Sequence, residues 1–294
     1  MSNKSNQRRR RKGRAGLIFV SPVVVLSLVF FFYPLAASFW QSLFNSRGGT
    51  DSFVGISQYQ RLWHDPIALK SILNSGFILA FQVPLMIVLA LGSAYLLNQN
   101  WLKFRKSMRI LNFLPAVTTL VAYSVVFRVL LAKDGGAVNQ FMWLFHVQPI
   151  DWLANEAWAR VSLIAAITWR WTGYNMIILM AGLQAIPSDL YEAAKVDGAN
   201  AWQTFTKIVI PQLRPSLVFV LITSTIGGLQ IFDESVILTN GGPNNATMTP
   251  VLYLYKEGFR NFDFGYASAI AWTLVIFTGL ISLIQFKLVG DQDD

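Results

Sequence analysis

No acidic or basic side chain occurs between Arg14 and Arg47, and none between Lys70 and Lys103. Runs of that length cannot be hidden in an ordinary core, whereas about 20 apolar residues at ~1.5 Å rise cross the hydrocarbon of a bilayer. A membrane protein is therefore the expected class. Composition agrees: 54% of residues are hydrophobic and 13% charged, against about 45–50% and about 25% in soluble domains. Six stretches are long enough to span, near 17–42, 72–98, 110–131, 161–185, 215–238 and 264–288. The expected fold is all-α, a polytopic protein with six transmembrane helices forming one domain over 17–289. A basic arm over 1–16 precedes it and a short tail over 290–294 follows. Pro22, Pro34, Pro84 and Pro115 fall inside spans and are expected to kink them, because neighbouring helices re-satisfy the freed carbonyls.

The 24 Lys and Arg residues set the orientation. Fifteen of them fall in the arm, the 99–109 loop, the 186–214 loop and the C-terminal end, all on one side if there are six spans. Six fall opposite: Arg47, Arg61, Lys70, Lys133, Lys256 and Arg260. Short loops rich in Lys and Arg stay cytoplasmic, so both termini are expected inside. The net charge of +9 then reads as a positive-inside determinant touching anionic lipid, with no nucleic acid as partner. The apolar run after the arm is too long for a cleaved signal. Trp63, Trp143, Trp152 and Trp158 lie in the outer loops 45–71 and 133–160 and suit interfacial anchoring.

Several chemistries are excluded. With no cysteine and only His64 and His146, there is no thiol nucleophile, no disulfide framework and too little for a Cys/His metal site. No GxxxxGK[ST] loop is present, and no Ser/His/Asp or H-E-x-x-H arrangement. The chain is expected to be no enzyme and to bind no cofactor or metal.

The loop at 186–214 is different in kind. Ser188 is placed to cap a helix, with Asp189 in its first turn. Gly198 is placed to end that helix in the left-handed conformation, Asn200 with Gln203 resembles a capping box for a second helix, and Pro211 and Pro215 stop it. Periodicity alone leaves a plain reading open, an amphipathic hairpin that stabilises one end of the bundle. Glu192-Ala193-Ala194, then Gly198, then Ile208 and Ile210-Pro211 match the EAA–G–I-x-L-P pattern of ABC importer permeases, with Ile210 in place of Leu. Gly173, Gly182-Leu183, Ile186-Pro187, Leu190-Tyr191 and Asp197-Gly198-Ala199 resemble the maltose-type carbohydrate branch, as does Phe232-Asp233-Glu234 through Asn240-Gly241-Gly242-Pro243.

That resemblance implies a permease subunit in the bacterial-type cytoplasmic (inner) membrane. It implies a second homologous permease, two ABC ATPase subunits that carry ATP and Mg, and an extracytoplasmic solute-binding protein that delivers a sugar. Glu192, Ala193, Ala194, Asp197, Gly198, Ile208, Ile210 and Pro211 would form the ATPase-coupling helix-turn-helix, and Asn240, Gly241, Gly242 and Pro243 a loop facing the binding protein. Two alternatives stay open. One is a permease for glycerol-phosphate or another polyol; the other is an ion-coupled secondary transporter, which would need inverted repeats and intramembrane carboxylates.

Polar groups inside the spans supply candidates for the substrate pathway. Sugars are polyhydroxylated with apolar faces and call for amides, carboxylates and aromatic rings. Tyr174, Asn175, Gln230, Asp233, Glu234 and Trp272 offer those chemistries. Arg170, deep in the fourth span, is either a pathway residue or one half of a buried pair with Asp233 or Glu234. Arg128 lies near the outer interface and has no assigned role.

Overall fold

The structure, a computed structural model, describes residues 19–47, 52–99 and 101–290; the basic arm and most of the short tail lie outside them. Helices dominate. α1 (Phe19–Gln41) leads into a two-residue hairpin, β1 (Phe44–Asn45) and β2 (Ser52–Phe53), followed by α2 (Ser57–His64) and α3 (Pro66–Asn98). Next come α4 (Arg105–Val117), α5 (Leu120–Leu130), α6 (Ala137–Trp143) and α7 (Glu156–Ala185). The chain continues with α8 (Ser188–Val196), α9 (Ala201–Gln212), α10 (Arg214–Leu229), α11 (Asp233–Thr239), α12 (Pro250–Tyr255) and α13 (Phe264–Gly290). The hairpin at 44–53 is the one departure from all-α among the described residues.

α1, α3 and α13 are each long and apolar enough to cross a membrane. Two expected spans, 110–131 and 215–238, are broken. α4 and α5 meet at 99° within the first, and α9 meets α10 at 66° just before the second. In the first, Thr118 and Thr119 are extended (ψ 150° and 147°), and Thr119 Oγ1 caps α5 by accepting from the Ala122 N–H at 3.2 Å. The stretch expected at 215–238 ends at Leu229, three residues before α11 begins. α7 starts at Glu156, earlier than expected, because Asn155 accepts from the Ala157 and Trp158 amides. Pro34 and Pro211 each follow a π-helical turn, at Leu28–Phe32 and Phe205–Val209. Proline cannot donate, and its ring crowds the carbonyl four residues back, so a widened turn upstream relieves both.

α3 and α7 run parallel as the central pair. At one end Ile78 packs with Leu163 and Ala166, and at the other Ala90, Ala94 and Leu97 pack with Leu179, Leu183 and Ile186. The alanines let the backbones approach. Gly173 does the same for α4 on α7, since a Cβ there would sit 1.7 Å from the Asn112 carbonyl oxygen. At the end of the bundle away from α8 and α9, Asp263 is fully buried and pairs with Arg47 at 2.9 Å and Arg61 at 2.7 Å. Asp65 caps α3 there and accepts hydrogen bonds from the Tyr253 hydroxyl at 2.5 Å and the Tyr266 hydroxyl at 2.7 Å. Burial pushes the Asp65 carboxyl up, but those two bonds and the Ala68 and Ile67 amides outweigh it, leaving it below its ordinary 3.8.

Candidate functional site

A cavity of about 340 Å³ lies between α3, α7, α10 and the break that precedes α11, within the ~300–1,000 Å³ range of small-molecule sites. One helical stripe of α7, Ile167, Trp171, Tyr174 and Asn175, forms one wall. Gln82 and Met86 from α3, and Thr223, Ser224, Gly227 and Gly228 from α10, face it. Gln230, Phe232, Asp233 and Glu234 close it where the helix is interrupted. The interruption is what turns the backbone and its side chains into the cavity. The Asn175 amide donates to Met86 Sδ at 3.2 Å and to the Trp171 carbonyl at 3.1 Å, and the Gln82 amide reaches the same sulfur at 3.4 Å. Glu234 is 4% exposed and accepts from the Tyr123 hydroxyl. No Lys or Arg lines the cavity among the described residues.

Of the pathway candidates read from the sequence, Tyr174, Asn175, Gln230, Asp233 and Glu234 converge here. Trp272 and Arg170 do not line it. Trp272 packs edge-to-face on Phe39 at 5.1 Å and donates to Ser38 Oγ at 3.2 Å, joining α13 to α1. Arg170 forms no pair with Asp233 or Glu234; its guanidinium turns instead to the backbone carbonyls of the α4–α5 break. Gln82, Thr223 and Ser224 were missed, although a lone amide or hydroxyl in an apolar span is the same signal that singled out Asn175.

At the end of the bundle formed by the last turns of α3 and α7 sits the helical hairpin α8–α9. α8 starts at Ser188, not after it: the preceding cap position is Pro187, and Ser188 Oγ turns to Asp189 Oδ1 at 3.4 Å. Its end is a left-handed turn at Gly198, φ +74°. There the Ala199 N–H reaches the Ala194 carbonyl at 2.9 Å and the Gly198 N–H the Lys195 carbonyl at 3.2 Å, satisfying the last-turn acceptors. Asn200 and Gln203 form the reciprocal capping box at 2.9 and 2.8 Å. Ala194 is buried against the bundle, whereas Glu192, Ala193, Lys195 and Asp197 are exposed and Val196 and Trp202 are 87% and 71% exposed. Ile208 on the π turn and Ile210 just after it are half-buried, and Pro211 is exposed. Phe205 packs on Tyr95 of α3 at 4.9 Å. Burial, and Tyr95 beside it, push the Tyr191 hydroxyl up.

The stretch from Asn240 folds inward more than its turn-rich sequence suggests. Asn240 and Asn244 are exposed, Gly242 and Pro243 are half-buried, and Gly241 and Ala246–Pro250 are buried. Lys256 Nζ donates to the Asn240 carbonyl at 2.9 Å, Lys70 Nζ to that of Asn244 at 2.6 Å, and Arg160 Nε to that of Ala246 at 3.1 Å. The loop is thereby tied to the first turns of α3 and α7.

The sequence profile of binding-protein-dependent transport system inner membrane components matches residues 82–289. The chain belongs to that family. Its family is one of transport permease subunits rather than enzymes, and it is a multi-pass inner-membrane protein. This inner membrane component is 42% identical over 281 residues to the lactose transport system permease protein LacF of Rhizobium radiobacter, spanning 94% of both chains. It is 35% identical over 281 residues to the arabinooligosaccharides transport system permease protein AraP of Bacillus subtilis, spanning 95% of this chain and 90% of that one. It shares the fold of a chain from a bacterial ABC transporter involved in import of the acidic polysaccharide alginate, with a TM-score of 0.83, 22% identity and coverage of 98% and 100%.

Proposed function

We propose that this inner membrane component carries a neutral mono- or oligosaccharide across the membrane by alternating access. Six spans with both termini inside, over one domain at 17–289, are the architecture of this reading. A second permease completes the pathway, and two ATPase subunits hydrolyse ATP with Mg. A solute-binding protein loads the sugar at the end that carries Asn240, Gly241, Gly242 and Pro243. The observation that carries the proposal is the cavity, whose lining combines amides, hydroxyls and aromatic rings with two carboxylates. Carboxylates and amides accept and donate to sugar hydroxyls, while Trp171, Tyr174 and Phe232 offer flat apolar surface to the faces of the ring. A glycerol-phosphate would meet Asp233 and Glu234 with no compensating cation, and Arg170 is turned away from it. LacF and AraP, named for lactose and arabinooligosaccharides, support a saccharide.

The α8–α9 hairpin is the docking element for the ATPase. Glu192, Ala193 and Asp197, with Val196 beside them, present a small charged and apolar surface. Gly198 fixes the angle to α9, and Ile208, Ile210 and Pro211 seat α9 under the bundle.

The test is purification of the tagged chain from its native membrane with its co-purifying subunits, then ATPase and uptake assays with a panel of sugars. Recovery of an ATPase and a second permease, with uptake of a neutral sugar that follows ATP, is expected. Uptake that follows a proton or sodium gradient would replace this reading with a secondary transporter. Preferential uptake of a phosphorylated polyol would overturn the substrate class.

A further inference from the structure

Arg170 is 6% exposed inside the bundle, yet no carboxylate lies within ion-pairing distance of it among the described residues. Its Nη1 donates to the Thr118 carbonyl at 2.6 Å, the Pro115 carbonyl at 3.3 Å and Thr118 Oγ1 at 3.3 Å, and its Nη2 donates to the Ala116 carbonyl at 3.4 Å. These carbonyls belong to the last turn of α4 and the extended link after it, where no following helical turn supplies donors; that of Pro115 also accepts from the Thr118 N–H at 3.3 Å and the Thr118 hydroxyl at 2.6 Å. The negative end of the α4 dipole also points at the guanidinium. The guanidinium stands 4.8 Å from the centre of the Tyr123 ring, and the Tyr123 hydroxyl donates to Glu234 in the cavity wall. Tyr123 is itself 3% exposed. A buried line of contacts therefore runs from the broken span to the cavity.

We propose that Arg170 is a positioning residue that latches the α4–α5 break and, through Tyr123, ties the angle of that break to the place of Glu234. It serves transport, on the reading above, without touching the sugar. Only a planar fork reaches donors to three carbonyls and a hydroxyl at once, so lysine cannot substitute. The latch also fits a break at 118–119, three residues beyond Pro115, where the Ala116 and Thr118 carbonyls meet the guanidinium.

The test uses the assembled complex in nanodiscs, with uptake normalised to assembled complex. Arg170→Lys, Glu234→Ala, the double variant and Tyr123→Phe are compared. Arg170 and Glu234 share no contact, so independent roles make their losses multiply. The latch predicts a double variant within about twofold of the worse single variant, and a loss of uptake in Tyr123→Phe, which keeps the ring under the guanidinium. Multiplied losses, or normal uptake by Tyr123→Phe, overturn it. A second measurement needs no transport. Spin labels on cysteines placed at exposed Val126 of α5 and Val161 of α7 in this cysteine-free chain report the distance between α5 and the helix on which α4 packs at Gly173. Broadening of their distance distribution by Arg170→Lys and by Tyr123→Phe is expected, and an unchanged distribution overturns the latch. Absence of sugar uptake by the wild-type complex would instead refute the proposed function, with the spin-label arm still judging the latch.

Discussion

Gly198 holds the reversal between α8 and α9 at φ +74°, and a Cβ built there meets nothing within 4 Å. Handedness, not bulk, excludes other residues. An L-residue in the left-handed region costs roughly 1–2 kcal/mol, with Asn tolerated best, and a shift of that size changes a population by about 5–30-fold. The two bonds that close α8, to the Ala194 and Lys195 carbonyls, depend on that backbone angle. A residue that rejects it gives up both and redirects α9. Gly198→Asn should keep most coupled uptake, Gly198→Ala should lose roughly 5–30-fold, and Gly198→Val, β-branched and least tolerant of positive φ, should lose more. All three should assemble, because no neighbour is struck. The assay is uptake together with sugar-stimulated ATP hydrolysis per assembled complex. If Ala matches Gly, or Asn falls below Ala, the side chain matters through contact and the reasoning from backbone handedness is refuted.

Gly173→Ala should behave in the opposite way: its Cβ would meet the Asn112 backbone at 1.7 and 2.5 Å, so α4 must move, at about 1–3 kcal/mol or more, read as a lower melting temperature of the purified chain. Asp263→Ala removes the fully buried partner of Arg47 and Arg61 and the acceptor for the Tyr266 N–H at 3.2 Å; because both arginines are partly exposed and keep Glu257 at 3.8 and 3.7 Å, it should cost about 1–3 kcal/mol, measured in the same melts. Asp65→Asn keeps a capping oxygen and loses the charge. Because the folded carboxyl titrates below 3.8, the stability its charge supplies is fully present above that value and is lost as pH falls through the folded value. The gap in melting temperature between wild type and Asp65→Asn should therefore be constant near neutrality and close in acid; a constant gap at all pH values would count against it.

The long apolar helices α1, α3 and α13 were legible because charge is absent over long runs. The breaks elsewhere were not. Hydropathy averages across Thr118 and Thr119, and where the helix stops depends on Arg170, a partner more than fifty positions away in sequence. Near the stop at Leu229, Gly228 lies close against α3, where a Cβ would come 2.3 Å from Leu79 Cδ2. In the α8–α9 hairpin the left-handed turn at Gly198 and the Asn200–Gln203 capping box were readable because they are local, whereas the cap expected at Ser188 is not formed. For the cavity, residue chemistry was legible and rotation was not. Trp171, Tyr174 and Asn175 share one stripe of α7 with Ile167, whereas Arg170 sits one position off it and faces α4. Which side of a helix meets which neighbour is a tertiary fact.

Cavity and hairpin are joined by one packed cluster, and this bears on how the proposed coupling would work. Met86 receives the amides of Gln82 and Asn175 at the cavity. The same cluster continues through Ala90, Ala94 and Leu97 of α3 and through Met176, Leu179 and Leu183 of α7 to Val209 and Leu213. Tyr191 of α8 and Phe205 of α9 pack on its end. From Met86 to Leu97 is about 16 Å of helix, with no polar gap along the buried face. Close-packed interiors deform little and move as bodies. A push on the exposed face of α8 would therefore reach Gln82 and Asn175 as a rotation of α3 and α7 together, in the manner of rigid-body switching. α10 belongs to the same cluster through Val220 and Leu217, although the 66° bend after Gln212 separates it from α9. A hairpin displacement would therefore carry the cavity walls of α3, α7 and α10 together, and the 230–234 break, where the helix is interrupted, is the part of the lining outside that body.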